Sequence, residues 1–417
     1  GLFGWIPAKL SGMNMTRVRL KVLGMTAFLC VTPSLALAAT PLIESDSFAL
    51  ELGGYTSSTT GVQHRPYDVP TLPRTTGLAA SLVRFEWRAY ISDNITIDVH
   101  NRFFARVSSA PTDASVGLGS TVAPERSVDL QSIIVEESGL LVEHDLDRAS
   151  ASINTRAGDI TMGRQAVTWG VSLLFPVADF WTQFSPFELD TSQKRGVDGV
   201  RFLTYPGDRI EVDLIAVDRG SVDDLSAGAR IGWSSDMADY HFMLARNYER
   251  IWMAMGSAVD LDWARLYGEI ATPFLPDESQ LELPRATLGL NVLRSKYTVS
   301  VEYHFNGLGD DELLAGIAKA EVARGEQYLL GRHYLGVAGS YTPREFITFS
   351  LLALGALDHP SMLIAPSIDY EIAPDIHARL LSYVGVGDRP DLSGIPVVPS
   401  EFGAYGESYF FELSAFF

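Results

Sequence analysis

Strict alternation of apolar and polar residues, sustained over stretches of about ten residues, is the feature that most narrows what this 417-residue chain can become. Phe85, Trp87, Ala89 and Ile91 fall on one face, and Arg84, Glu86, Arg88 and Tyr90 on the other. After Ser92-Asp93-Asn94 the pattern resumes, with Ile95, Ile97, Val99 and Phe103 set against Thr96, Asp98, His100, Arg102 and Arg106, so the two stretches predict a hairpin. Tyr297, Val299, Val301, Tyr303 and Phe305 repeat it against Thr298, Ser300, Glu302, His304 and Asn306, and Ile210 to Ala216 do so against Arg209, Glu211 and Asp213. A tilted strand needs about that length to cross a bilayer.

A soluble sandwich also alternates, so the connections must discriminate. Strands are expected near 46–55, 81–91, 95–106, 131–145, 149–163, 197–204, 209–218, 226–234 and 238–246. The second half continues at 250–258, 262–271, 284–293, 297–306, 331–341, 345–356, 361–371, 375–384 and 403–417. That makes eighteen strands, with sixteen as the alternative. Tight turns such as Asp145 to Arg148, Tyr205 to Asp208, Arg294 to Lys296 and Thr342 to Arg344 alternate with long loops at 56–80, 107–130, 164–196, 272–283, 307–330 and 385–402. Short turns at one end and long loops at the other predict an all-β, antiparallel transmembrane barrel with short periplasmic turns and long outer loops. Within 310–324, acidic residues precede a helical spacing, which predicts a short helix in an outer loop.

The N-terminus reads as an address. Residues 1–14 precede Met15 and carry no fold information. Arg17, Arg19 and Lys21 then lead into an apolar run that ends at Ala36-Leu37-Ala38, so 15–38 is expected to be a cleaved signal peptide and 39–417 a single barrel. Cys30, the one cysteine, lies inside that run, which excludes a disulfide framework and a thiolate zinc cluster. A net charge of −19 argues against nucleic acid as a partner, because counterion displacement needs a cationic face. The histidines are scattered without paired spacing and no nucleophile elbow, phosphate loop or dinucleotide fingerprint occurs, so neither a metal, a cofactor nor an enzymatic activity is expected.

The chain ends Tyr409-Phe410-Phe411-Glu412-Leu413-Ser414-Ala415-Phe416-Phe417. This resembles the ending of the porin-like outer-membrane barrels of Gram-negative bacteria, in which a terminal Phe follows apolar residues at every second position. Tyr409, Phe411, Leu413 and Phe417 match that signal. The resemblance implies the outer membrane as location, membrane lipid and the barrel-assembly machinery as partners, and small solutes as cargo; it also admits a homo-trimer. In general porins the loop after the fifth strand folds into the channel. The corresponding loop here, 164–196, carries Trp169, Phe175, Phe180, Trp181, Phe184 and Phe187, which should not remain in water. It is expected to fold inward, with Arg164, Gln165, Trp169 and Trp181 as anchors. Asp179, Glu188 and Asp190 would then face a ladder of Arg84, Arg88, Arg102, Arg106 and Arg156 across a charged constriction. The function expected is a passive or substrate-selective channel; a non-conducting barrel serving as scaffold or export partner in an envelope assembly is the alternative. Arg84 opposite Arg102 is unfavourable unless an acid or a substrate lies between them. Deleting Phe417 should lower the yield of barrel in the outer membrane, read by fractionation and heat-modifiable gel migration; an unchanged yield would make the ending incidental.

Overall fold

The computed structural model describes residues 40–45, 48–69, 72–110, 125–181, 193–221, 225–393 and 396–417. Its strands pair antiparallel in one continuous sheet. In chain order they are β1 (Thr40–Ser45), β2 (Phe48–His64), β3 (Thr75–Ser92), β4 (Ile95–Ser108), β5 (Gln131–Glu137), β6 (Leu140–Thr155) and β7 (Gly158–Gln165). There follow β8 (Val197–Thr204), β9 (Ile210–Asp218), β10 (Ser226–Ser234), β11 (Ala238–Asn247), β12 (Arg250–Asp260), β13 (Arg265–Leu275) and β14 (Gln280–Leu281). The last are β15 (Arg285–Leu293), β16 (Tyr297–Asn306), β17 (His333–Arg344), β18 (Ile347–Ala356), β19 (Ser361–Ala373), β20 (Ile376–Val386) and β21 (Glu407–Phe416).

Leaving out β1, β5 and β14, each strand pairs with the next, and β2 pairs with β21 from Tyr55 opposite Phe416 to His64 opposite Glu407, which closes an 18-strand barrel. Closure removes the free edges that would otherwise leave unpaired backbone groups. The strands are staggered, and two accessory strands continue interrupted lanes. β2 gives residues 55–64 to β21 and residues 48–52 to β1, while β6 gives residues 149–155 to β7 and residues 140–145 to β5. The outer face bears exposed large apolar residues at alternate positions, such as Leu214, Ile231, Phe242, Met255 and Leu351. Trp233, Tyr240, Trp263, Tyr297, Tyr341 and Tyr370 gather, exposed, toward the short-turn end, as in the aromatic girdles of membrane barrels. No helix among the described residues is long and apolar enough to cross a membrane.

The β3–β4 register is that of a hairpin folded about Asp93, with Arg88 opposite Asp98, Glu86 opposite His100 and Arg84 opposite Arg102. Elsewhere the sequence misleads. Asp145-Leu146-Asp147-Arg148 looks like a turn because it is charged, yet it lies within β6, where a register shift beside His100 and Asn101 accommodates it. The true turn between β6 and β7 holds Arg156, which is exposed there and contributes nothing to the lumen wall. The stretch 56–60 looks like a loop because it is Ser- and Thr-rich, but β2 runs through it. Its hydroxyls are satisfied within the wall, Thr56 Oγ1–H donating to the Leu82 carbonyl at 3.1 Å and Ser58 Oγ lying 2.9 Å from Ser81 Oγ. β17 likewise passes through Thr342-Pro343 with a bulge to reach Arg344. The helical segment of connection 307–332 forms two short pieces, α1 (Leu313–Ile317) and α2 (Ala320–Ala323).

Candidate functional site

Alternation places Ser300, Glu302, His304 and Asn306 of β16 on the inner face, all buried, while Val299, Val301 and Tyr303 face outward. Something inside must cover them. The chain leaving β7 turns into the barrel and lies as a hairpin against the inner wall from β9 to β17. Going out, Trp169 Nε1–H donates to Asp213 Oδ2 at 2.7 Å, the Val171 N–H to Glu269 Oε2 at 3.0 Å and the Leu173 N–H to Glu302 Oε1 at 2.7 Å. At the tip the Phe175 N–H donates to Glu302 Oε2 at 3.0 Å and the Thr287 hydroxyl to the Phe175 carbonyl at 2.8 Å. On the way back the Val177 N–H meets Glu269 Oε1 at 2.8 Å, and Tyr267 secures Glu302 from the wall side with an O–H donated at 2.6 Å. Each such hydrogen bond contributes about 0.5–3 kcal/mol, the more so to a charged acceptor, and together the two carboxyl groups hold the hairpin.

Small inward residues make room for it. A Cβ on Gly228 would lie 2.7 Å from the Trp169 ring, and one on Gly336 would lie 2.7 Å from Leu174 and Phe175. Val167, Trp169, Val177, Phe180 and Trp181 then form an apolar core with Ile215, Val217, Trp252 and Ala254 of the wall. Trp169 and Trp181 meet edge-on at 5.6 Å, and Phe180 lies 5.4 Å from Trp252.

The wall formed by β3, β4 and β6 is ionic. Arg84, 1% exposed, donates through Nη1 to Asp147 Oδ2 and through Nε to Glu86 Oε1, both at 2.6 Å. Arg102 donates to Glu143 at 2.7 Å, and Arg88 to Asp98 at 2.7 Å. The acids that relieve Arg84 facing Arg102 therefore come from β3 itself, as Glu86, and from β6, as Asp147 and Glu143, including the segment that looks like a turn. Farther along, Arg126 binds both oxygens of Asp145 at 2.8 and 2.9 Å and the Gly196 carbonyl at 3.0 Å. Arg164 binds Asp198 at 2.7 and 2.9 Å and the Leu146 carbonyl at 2.8 Å. These two clusters tie together the strand ends from which the inner loop departs and to which it returns.

Of the residues the sequence singles out, Arg84, Arg88, Arg102 and Arg106 share one wall, whereas Arg156 is removed to the turn. Asp179 does not face the arginines. Its Oδ1 accepts the N–H groups of Trp169 and Gly170, each at 2.7 Å, and its Oδ2 pairs with Lys194, so it closes the loop on itself. Glu188 and Asp190, with Phe184 and Phe187, lie outside the described residues. Arg164, Trp169 and Trp181 make the contacts given above, while Gln165 Nε2–H donates to the Thr161 carbonyl of its own strand at 3.2 Å. Tyr409 and Phe411 are exposed on the outer face of β21, and Phe417 exchanges both backbone hydrogen bonds with Gly54 at 2.7 and 2.9 Å. Glu269 and Gly336 escaped the sequence reading, and Glu302 was placed on the polar face of its strand but not recognised as a seat for the loop. The signal for them was a run such as Met253-Ala254-Met255-Gly256, large outside and small inside, which marks a wall with something lying on it.

No family model matches the chain, and no curated protein matches it. Solved structures do. Acinetobacter baumannii OccAB2 superposes with a TM-score of 0.54 at 8% identity over 88% of this chain and 98% of that one. Pseudomonas aeruginosa OccK9 (OpdG) gives 0.54 at 8% identity over 88% and 98%, and A. baumannii OccAB4 gives 0.52 at 9% identity over 90% and 99%. What is shared at such identity is the fold, that of the porin-like barrels of Gram-negative bacteria.

Replacing Arg84 by Met should lower stability by about 3–5 kcal/mol in urea unfolding of the lipid-embedded barrel, because Asp147 is left charged and buried. Adding Asp147→Leu should restore most of the loss. A single variant as stable as the parent would show that the pair does not hold the wall.

Proposed function

We propose that the protein is an outer-membrane channel for small hydrophilic solutes, narrowed by the inner hairpin of residues 166–181 and lined opposite it by the arginine wall. The observation that carries this reading is the hairpin of residues 166–181 seated inside the barrel on Glu269 and Glu302. A closed wall alone would serve a scaffold equally well, but a loop fixed across a polar lumen is what sets a bore. Partly exposed inward charges, Arg88 beside Asp98 and Arg379 beside Asp369, give the remaining path a lining that can sort solutes by sign and dipole. Asp179 is spent on the loop's own backbone, and Arg84, Arg88 and Arg102 opposite are each paired with an acid, so charge pairs rather than a single free sign line the narrowing. Export by the signal at 15–38, insertion by the assembly machinery and periplasmic short turns belong to the same proposal.

One observation favours the non-conducting alternative: Leu329 and Phe402, from two outer connections, pack with Tyr334, Leu354 and Leu363 into an apolar cluster inside the outer half of the barrel. Planar-bilayer recording separates the readings. Deleting residues 171–177 should raise single-channel conductance, and Glu302→Gln should raise it less while increasing current noise. If neither the parent nor the deletion conducts, the scaffold reading replaces the channel.

A further inference from the structure

Glu401 lies in the connection between β20 and β21 and is 3% exposed. Its Oε1 accepts the Leu330 N–H at 3.2 Å, and its Oε2 accepts the Tyr334 O–H, so one carboxylate joins connection 387–406 to connection 307–332 and to β17. Contacts continue inward from there. Phe402 meets the Tyr334 ring at 6.4 Å, Tyr334 lies 6.4 Å from Phe175 at the tip of the inner loop, and the Tyr328 hydroxyl donates to the Leu174 carbonyl at 3.2 Å. Releasing Glu401 would therefore loosen both the outer connections and the support of the loop tip.

We propose that Glu401 is a proton-operated latch that holds the two outer connections closed over the inner loop. Its effect on conduction rests on the channel reading; the latch itself does not. The donors facing the carboxyl are neutral, a phenol and backbone N–H groups. The titratable groups around it are Tyr334 on β17, Tyr405 on its own connection and Asp358 in the β18–β19 turn. Asp358, which accepts the Arg332 and His333 N–H groups at 2.6 and 2.9 Å, is itself an acid and opposes a second negative charge nearby. Burial pushes the Glu401 carboxyl up to about 7, against the partial relief of the Tyr334 and Leu330 donors. An exposed glutamate titrates at about 4.3. The closed form thus holds a proton that the released form gives up. Its extra stability is present in acid, falls as pH rises between those two values and is gone above about 7.

Spin labels on Asp311→Cys and Ser393→Cys, in a Cys30→Ser background, report the separation of the two connections by electron resonance without requiring conduction. The distance should be narrow and short at about pH 4.5 and broad and longer at about pH 8.5, with the midpoint of the change below about 7. Glu401→Gln, neutral at every pH, should keep the narrow distribution throughout. Tyr334→Phe removes a contact that ties Glu401 to β17 in either protonation state and should move the midpoint of opening downward. A distance that ignores pH, a parental pH response in Glu401→Gln, or an unmoved midpoint in Tyr334→Phe each overturns the latch. Bilayer conductance of the same samples should rise with pH in the parent and stay low in Glu401→Gln. A barrel whose distances respond but which never conducts keeps the latch and loses the channel, whereas one that conducts while its distances ignore pH loses only the latch.

Discussion

Everything in this molecule follows from a shortage of hydrogen-bond partners. In hydrocarbon a backbone N–H or C=O has only protein to turn to, so the sheet has to meet itself, and it does so between β2 and β21. The stagger that closure demands leaves strands of unequal reach. β1 and β5 occupy the lanes that β21 and β7 vacate, and Phe417 ends the last strand on Gly54. Once the wall faces lipid outward, side chains that need partners go inward, and the lumen inherits the charge.

That inheritance is settled locally. Arg84, Arg102, Arg126 and Arg164 each find an acid on their own or a neighbouring segment, which offsets the cost of their burial. On the other side of the barrel the same need works in reverse. Glu269 and Glu302 lie buried on the wall and are answered by N–H groups of the inner hairpin, so a segment without regular secondary structure becomes an inner layer of the wall. Polar groups on both sides are thereby matched, one side by ion pairs and the other by a loop.

The ring of strands was legible in the sequence because lipid enforces period two: the β3–β4 register and the terminal strand follow from it directly. Charge inside a strand was the source of error. Asp145 and Asp147 read as a turn because soluble proteins place such residues in turns, whereas a barrel interior can bury them against arginine. Arg156 was misplaced as a result. The Ser and Thr residues of β2 were discounted for the same reason, since their hydroxyls bond across the wall and not to water. Asp179 was recognisable as part of the loop, but its direction was not, because what decides it is the approach of the Trp169 and Gly170 N–H groups, a property of the folded path. The long aromatic loop was visible as something that could not stay in water; the glutamates that receive it sit far away in sequence and carry no local mark.

The hairpin is gripped mainly through its backbone. Val171, Leu173 and Val177 are each held by the N–H, a group that every residue other than proline presents alike, and the Leu173 side chain is 58% exposed. Anchoring and lining are therefore written in different parts of the same residues. Substitution at 173 can change the exposed surface of the loop while its backbone stays seated on Glu302.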